Sequence, residues 1–339
     1  MRYDGLHHLG LPTSVDRSTP RSIASTGLRL RRHRREFREF VDGISDCDVA
    51  IVVAHVPASF SRVGLSNVEV LRDRLPAMPI VNYDLVYLPT VEKWGGAILK
   101  AEDTGLTDSD AAGIERGMFG MDRYDWYLAV STASEVPMPA DPQPCTVIGI
   151  DLDDGSLFPD QRGELRALVD FAQERKNYPS YRRAQIVALE KAGIPYEILD
   201  GEYSPADIRG IYRRTGLFML AHRESFGLPI CELQACGSLI FAPHSDWAGA
   251  HWMKDDASAR GPGTHSPNFR IYGNDVDVLV SQLEHVKRTF DPAGVVTTFQ
   301  ETQPQLFRGD RAAVQTFLGL VKSGVIHARL HREHAEVGR

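Results

Sequence analysis

The amino-acid sequence predicts an α/β protein built from two doubly wound parallel sheets. Short apolar runs, which suit strands buried on both faces, alternate with helical segments along most of the 339 residues. The alternation breaks once, at a proline-rich stretch over 134–145 that is followed by an acidic stretch over 151–163. Because the alternation then restarts, and because this length suits two domains, we expect two sheets rather than one.

The first half contains four apolar runs typical of buried strands. They cover residues 49–54, 80–83, 127–130 and 147–150, and a helical pattern over 67–74 separates the first two. We assign residues 1–155 to an N-terminal Rossmann-like domain.

The second half repeats the pattern with clearer helix ends. Strands are expected at 167–171, 196–199, 217–220 and 239–242, and helices at 181–192, after Ser204-Pro205 and after Asn274-Asp275. We assign residues 156–310 to a second Rossmann-like domain. A helical period over about 310–335 predicts a C-terminal helix within 311–339 that can cross back to the first domain.

The composition is that of a globular protein, with 42% hydrophobic and 24% charged residues. No run of about 18 apolar residues is present, and the N-terminus lacks an apolar signal region, so we expect a cytoplasmic protein. The four cysteines, two of them in a Cys-x4-Cys pair, are expected to be free thiols rather than disulfides or metal ligands. A formal net charge of −7 argues weakly against nucleic acid as an obligate partner.

The most informative stretch runs from Glu224 to Glu232 and reads Glu-Ser-Phe-Gly-Leu-Pro-Ile-Cys-Glu. It follows an apolar strand and opens a helix, so its backbone N–H groups suit a phosphate. Two carboxylates repel phosphate but accept hydrogen bonds from hydroxyl groups. A ligand that offers phosphates and hydroxyls together is a nucleotide-sugar.

This stretch resembles the Glu-x7-Glu signature of retaining glycosyltransferases with the GT-B fold, especially family 4. The resemblance covers about 46–285 and is strongest over 195–242, where Gln234-Ala235-Cys236-Gly237 also matches. It implies two domains facing across a cleft and transfer from a nucleoside-diphosphate sugar with retention of configuration. It also implies a catalytic role for Glu224 and donor contacts from the loop and helix that follow, namely Ser225, Phe226, Gly227, Leu228 and Glu232.

Three further positions fit this resemblance. Arg175 and Lys176 follow the strand that ends near 171, and they are similar to the basic pair that holds the donor's phosphates. In the family these two residues lie about five positions apart, whereas here they are adjacent. His55 ends the strand at 49–54 and resembles a histidine near the transferred sugar, so we include it with Glu224 as a catalytic candidate.

We expect neither a metal nor a cofactor at this site. Asp151-Leu152-Asp153 imitates an Asp-x-Asp metal motif, but it lies in the acidic linker and is better explained as a solvated turn.

A basic stretch over 29–38 is predicted to form an amphipathic helix. A solvated helix face explains it about as well as contact with an anionic membrane surface or a polyanionic acceptor such as nucleic acid. The candidate contacts are Arg31, Arg32, Arg34 and Arg35.

Two alternatives to a transferase remain at the level of sequence. One is another enzyme on the same fold, a nucleotide-sugar epimerase or a phosphorylase. The other is a module that binds a nucleotide-sugar or a polyanion without turnover, which the short region before residue 46 favours. The sequence does not identify the sugar, the base or the acceptor. The acceptor can be a small molecule, a glycan, a lipid-linked group or nucleic acid.

Overall fold

The architecture is taken from a computed structural model of the chain. It describes residues 32, 35–53, 68, 71–84, 124–131, 144–153, 155–161, 163–170, 181–224, 226–253, 263–273 and 275–326.

The first sheet has four parallel strands in the order of the chain. They are β1 (Ala50–Val53), β2 (Ile80–Asp84), β3 (Trp126–Ala129) and β4 (Cys145–Val147).

The second sheet has five parallel strands in the order β6-β5-β7-β8-β9. They are β5 (Ala167–Val169), β6 (Tyr196–Ile198), β7 (Leu217–Met219), β8 (Leu239–Ala242) and β9 (Phe269–Ile271).

Seven α-helices with defined ends lie in the second half of the described chain. They are α1 (Tyr181–Ala192), α2 (Pro205–Arg214), α3 (Leu228–Ala235), α4 (Val276–Thr289), α5 (Pro292–Thr302), α6 (Pro304–Phe307) and α7 (Arg311–Lys322). In the first half, residues 35–43 and 71–74 are also helical.

The second sheet is covered on both faces because successive residues of a strand point to opposite sides. On one side, Leu217 and Met219 pack in a cluster with residues of α1 and α4 such as Leu189 and Leu283. On the other side, Phe218 packs in a cluster with residues of α2, α3 and α5. The fully apolar strand sequences seen in the chain therefore reflect a central layer buried from both sides.

The first sheet has the same layered plan, with its second cover supplied from far along the chain. Phe37 and Val41 pack against Ile80 and Tyr127 on one face. On the other face, Val81 and Leu128 lie in a cluster with three residues from α7 and the turn that follows it. These are Phe317, Val321 and Ile326. The last described helix thus follows the second sheet in sequence but covers the first.

Several helix ends follow from local sequence chemistry. Ser204 caps α2, its side chain accepting a hydrogen bond from the Asp207 N–H, and Pro205 begins the helix. Asp275 caps α4 by accepting from the N–H groups of Asp277 and Val278. Both caps were predicted, and the structure confirms them.

The structure confirms the predicted α/β class with two parallel sheets, but it corrects one strand. The run 147–150 was predicted as a strand, whereas β4 covers Cys145–Val147. Gly149 has a φ of +67°, and the N–H of Ile150 donates to the Gln305 carbonyl at 2.8 Å, so the chain turns out of the sheet there. The strand β9 and the helices α5 and α6 were not predicted.

Candidate functional site

The strand order of the second sheet defines where a ligand can enter. From β5 the chain places β6 on one side, while β7, β8 and β9 follow on the other side. The strand order therefore reverses direction between β5 and β7, and in open parallel sheets a ligand crevice is expected at the carboxyl ends of two such strands. Asp170 follows β5 directly, and residues 220–224 follow β7.

Three titratable side chains meet at this crevice. Nδ1 of His222 lies 2.8 Å from Oδ2 of Asp170, and Nε2 of His222 lies 3.4 Å from Oε2 of Glu224. Hydrogen bonding to Asp170 and then to Glu224 outweighs desolvation and raises the pKa of His222 to about 9. The imidazole is therefore a cation at neutral pH, held between two carboxylates.

The backbone of Glu224 is held by the loop after β8. The N–H of Ala248 donates to the Glu224 carbonyl oxygen at 2.6 Å. Ala248 has a φ of +56°, an uncommon conformation for a residue with a side chain. A strained residue that donates to a site residue indicates that the position of Glu224 is set by two loops together.

Gly227 lets the chain turn sharply between Glu224 and helix α3. Its φ is +61°, and a Cβ there would lie 2.7 Å from Cγ of Glu224 and 2.9 Å from Cδ1 of Ile230. The glycine thus allows the glutamate to lie against the first turn of the helix. The N-terminal N–H groups of α3 carry partial positive charge, which favours an anion beside Glu224.

A buried histidine supports this loop from below. His251 donates from Nε2 to the carbonyl oxygen of Phe226, and its ring stacks on the Phe226 ring with centroids 5.5 Å apart. Burial lowers the pKa of His251 to about 4, so the ring is neutral at pH 7. Gln303 fixes the backbone of the same residue by donating to its carbonyl oxygen at 2.5 Å.

A second loop contact connects α1 with the end of β8. Tyr181 and His244 share a hydrogen bond of 2.8 Å between the phenol oxygen and Nε2. Both rings also contact Trp247 edge-on, with the Tyr181 and Trp247 centroids 5.3 Å apart. The start of α1 and the loop after β8 are therefore joined to each other by side chains.

Glu232, the second carboxylate of the motif, lies in a different cluster. Its Oε1 accepts from Nε and Nη2 of Arg209 at 3.1 and 3.0 Å. The same guanidinium donates from Nη1 to Oγ of Ser156 at 2.8 Å. Because the Glu232 side chain is only 10% exposed, the guanidinium is needed to offset its buried charge.

Replacing Arg209 with Met is expected to lower the free energy of unfolding by about 2–4 kcal/mol. Breaking a fully buried pair costs roughly 3–5 kcal/mol, and Arg209 keeps some contact with solvent. Urea unfolding measures the effect. Arg214→Met on the same helix is the control, since its pair with Glu197 is exposed and contributes about 0–1 kcal/mol. Equal losses in the two variants would contradict this account of Glu232.

The other predicted site residues divide into two groups. Leu228 is exposed at the start of α3, and Phe226 is buried beneath the loop. His55, Arg175, Lys176, Ser225, Arg31 and Arg34 lie outside the described residues, and their predicted roles stay predictions.

The described part of the basic stretch carries its own counter-charges. Arg32 pairs with Glu36 at 2.6 Å, and Arg35 lies 3.7 Å from Glu39. All four side chains are largely exposed, so these pairs contribute little stability. The predicted anionic contact through this stretch stays a prediction.

The structure places the Asp-x-Asp motif beside arginines. Oδ2 of Asp151 lies 4.0 Å from Nη2 of Arg311, and Oδ2 of Asp153 lies 3.7 Å from Nε of Arg308. Within the described ranges, no group of three or more His, Cys, Asp or Glu side chains is arranged to hold a metal ion. In those same ranges, no helix is long and apolar enough to cross a bilayer.

Three site residues were missed in the sequence. Asp170 ends an apolar strand and His222 lies two residues before Glu224, so both positions carried a signal. Arg209 carried none, because its pairing with Glu232 depends on how α2 packs against α3.

No protein-family model and no curated protein sequence matches this chain. Its fold is similar to several solved structures. The pneumococcal O-GlcNAc transferase GtfA in complex with UDP and GlcNAc matches with a TM-score of 0.46 and 11% identity over 85% of this chain. The match spans 59% of that protein, so this chain corresponds to about three fifths of its length.

Two further solved structures are matched over a larger share of their own length. The α,α-trehalose-phosphate synthase (UDP-forming) from Burkholderia xenovorans, in complex with glucose-6-phosphate, has a TM-score of 0.46 and 10% identity. The match covers 86% of this chain and 79% of that protein. Anabaena Alr3699/HepE in complex with UDP and glucose has a TM-score of 0.48 and 12% identity. That match covers 85% of this chain and 81% of the other protein. These likenesses are too distant to assign a function.

Proposed function

We propose that this chain is a retaining, metal-independent glycosyltransferase of the GT-B type, similar to family 4. It would move a sugar from a nucleoside-diphosphate sugar to an acceptor hydroxyl. The observation that supports this most is the position of Glu224. Its carboxylate lies at the switch point of the second sheet, beside the N-terminus of α3.

The chemistry around Glu224 and the start of α3 suits both the sugar and the diphosphate of such a donor. The ionised Glu224 accepts hydrogen bonds from sugar hydroxyl groups and fixes the ring. In this proposal the N–H groups at the start of α3 bind the diphosphate, and Ser225, Phe226, Gly227 and Leu228 supply the donor contacts that the motif implies. In this proposal the negative charge that grows on the leaving diphosphate is stabilised by the helix and by Arg175 and Lys176, which follow β5 in sequence.

Glu232 is proposed to bind the ribose. A carboxylate has about four lone-pair sites, so pairing with Arg209 leaves capacity for ribose hydroxyls. The pair also holds the carboxylate ionised and in place before a ligand arrives, which lowers the entropy lost on binding.

The acceptor side is proposed to come from the first sheet. His55 follows β1 in sequence, and Ser131 lies just beyond β3. Oγ of Ser131 donates to the carbonyl oxygen of Ala250 at 3.2 Å, so the end of β3 contacts the loop that holds Glu224. Retention requires no strong protein base in this proposal, because the departing phosphate oxygen takes the acceptor's proton.

A nucleotide panel tests the proposal directly. The protein is heated with UDP, GDP and ADP and with their glucose and N-acetylglucosamine esters. At about 100 times its dissociation constant, a ligand stabilises the folded state by about 2.7 kcal/mol. We expect one base to stabilise the protein strongly, and the matching sugar ester to release nucleoside diphosphate in the presence of a chelator.

Each other outcome has a defined meaning. No stabilisation by any nucleotide would refute a nucleotide-sugar site. Binding without turnover over a broad acceptor panel would favour a binding module. Conversion of the donor without an acceptor would favour an epimerase, and loss of activity with the chelator would refute metal independence.

A further inference from the structure

Asp170, His222 and Glu224 form a continuous line of charge that joins two strands. Asp170 follows β5, and His222 and Glu224 follow β7, its neighbour in the sheet. The exposed fraction of the side chains rises along the line, from 7% at Asp170 through 19% at His222 to 35% at Glu224. The line therefore runs from the protein interior to the mouth of the crevice.

The geometry of the site favours a charged imidazole. A neutral histidine donates from one ring nitrogen and carries a lone pair on the other. Here both nitrogens face carboxylate oxygens, at 2.8 and 3.4 Å, so a lone pair on either nitrogen would face another lone pair. The imidazolium carries an N–H on each ring nitrogen and is attracted to both carboxylates, so it suits this position better than the neutral ring.

This arrangement restricts the side chain at the crevice mouth. A glutamate on the surface samples many rotamers and loses that freedom when it binds a ligand. At Glu224 one oxygen faces the imidazolium, and the backbone carbonyl accepts from Ala248. The carboxylate is therefore ionised and oriented before a sugar arrives.

We propose that Asp170 and His222 are positioning residues that orient the Glu224 carboxylate for the sugar of the donor. This inference rests on the proposed function. Asp170 acts through His222, and His222 acts through Glu224, so neither needs to contact the donor. Their loss should weaken recognition of the sugar more than recognition of the nucleotide.

The first test needs no ligand. The ring protons of the histidines are followed by NMR in the full chain as pH is raised. We expect His222, assigned by its absence from the His222→Gln spectrum, to titrate far above the ordinary value of about 6.5. Asp170→Asn should move that titration down, while Asn at the exposed Asp277 of α4 should leave it unchanged. A wild-type His222 that titrates near 6.5 would overturn the inference, and this outcome requires no variant other than the one used for assignment.

The second test separates sugar from nucleotide. Dissociation constants for UDP and UDP-glucose, and for the GDP and ADP pairs, are measured by calorimetry with wild type, Asp170→Asn and His222→Gln. For the base that binds, we expect the ratio of the sugar-ester constant to the free-nucleotide constant to rise about tenfold in both variants, with free-nucleotide affinity within twofold of wild type. An unchanged ratio in folded variants would overturn the inference.

The two proposals fail in different ways. Wild-type protein that binds none of the six compounds contradicts the proposed function and, with it, the role in sugar recognition. Wild-type protein that binds them while the variants keep the wild-type ratio contradicts the positioning role alone. His285→Gln, at an exposed position away from the crevice, is the matched histidine control and should keep both constants.

Discussion

Glu224→Gln is expected to lower transfer at least about 100-fold while the fold stays intact. Each charge-assisted hydrogen bond to a sugar hydroxyl is worth roughly 1.5–3 kcal/mol, and 1.4 kcal/mol corresponds to a factor of ten in rate. Glutamine keeps the shape of the side chain, but it loses the charge and replaces one acceptor oxygen with a donor. Release of nucleoside diphosphate from the best-binding donor measures the effect.

The matched control is Glu284→Gln, at an exposed position on helix α4, which should keep wild-type activity. Circular dichroism and the thermal midpoint verify that both variants are folded. Full activity in the folded Glu224→Gln variant would remove the central residue of the proposed mechanism.

Acidification is expected to destabilise the protein through His251. This ring is neutral in the folded state down to a pKa of about 4, whereas in the unfolded chain it takes up a proton near pH 6.5. Between these values the unfolded state binds more protons, so stability is lost as pH falls from about 6.5 to 4. The pKa difference corresponds to a loss of about 3 kcal/mol. The pKa of His265 is also lowered by burial and adds to the loss.

Urea unfolding at pH 7, 6, 5 and 4 tests this expectation. His251→Gln keeps an N–H donor for the Phe226 carbonyl but cannot titrate, so its stability should depend less on pH in this window. The exposed His285→Gln variant should follow the wild-type curve. If His251→Gln and wild type lose equal stability, another group is responsible.

Much of the fold was predictable because its signals are local. Apolar runs between turns gave seven of the nine strands to within two residues at each end, and the caps at Ser204 and Asp275 follow from side chains that reach their own helices. The fourth strand was placed too late because Ile148 and Ile150 are apolar. The glycine between them takes a positive φ, and the chain turns toward Gln305. That turn depends on a contact made about 155 residues later in the chain.

The short strand β9 could not be predicted from its own residues. Phe269–Ile271 has three residues with an arginine in the middle, and it follows a segment rich in glycine and proline. Nothing local distinguishes it from a loop. It is a strand because the backbone of β8 lies beside it.

The candidate site also has a part that the local sequence predicts and a part that depends on tertiary contacts. Glu224 and Glu232 could be found because their spacing around a turn forms a pattern within nine residues. The contacts that hold these two carboxylates depend on tertiary packing. His222 lies two residues before Glu224 in sequence but contacts Asp170 on the neighbouring strand, and Arg209 reaches Glu232 and Ser156 from another helix. Their residue types in the sequence gave no indication of which carboxylate each would contact.

A protein cut after residue 155 would give two fragments, each with an incomplete core. The N-terminal fragment would contain Val81 and Leu128 without Phe317, Val321 and Ile326, which cover them in the intact chain. The C-terminal fragment would carry the helix Arg311–Lys322 with its apolar side facing water. The two sheets therefore do not correspond to two autonomous folding units, and reassembly of co-expressed fragments would depend on that one helix docking in trans.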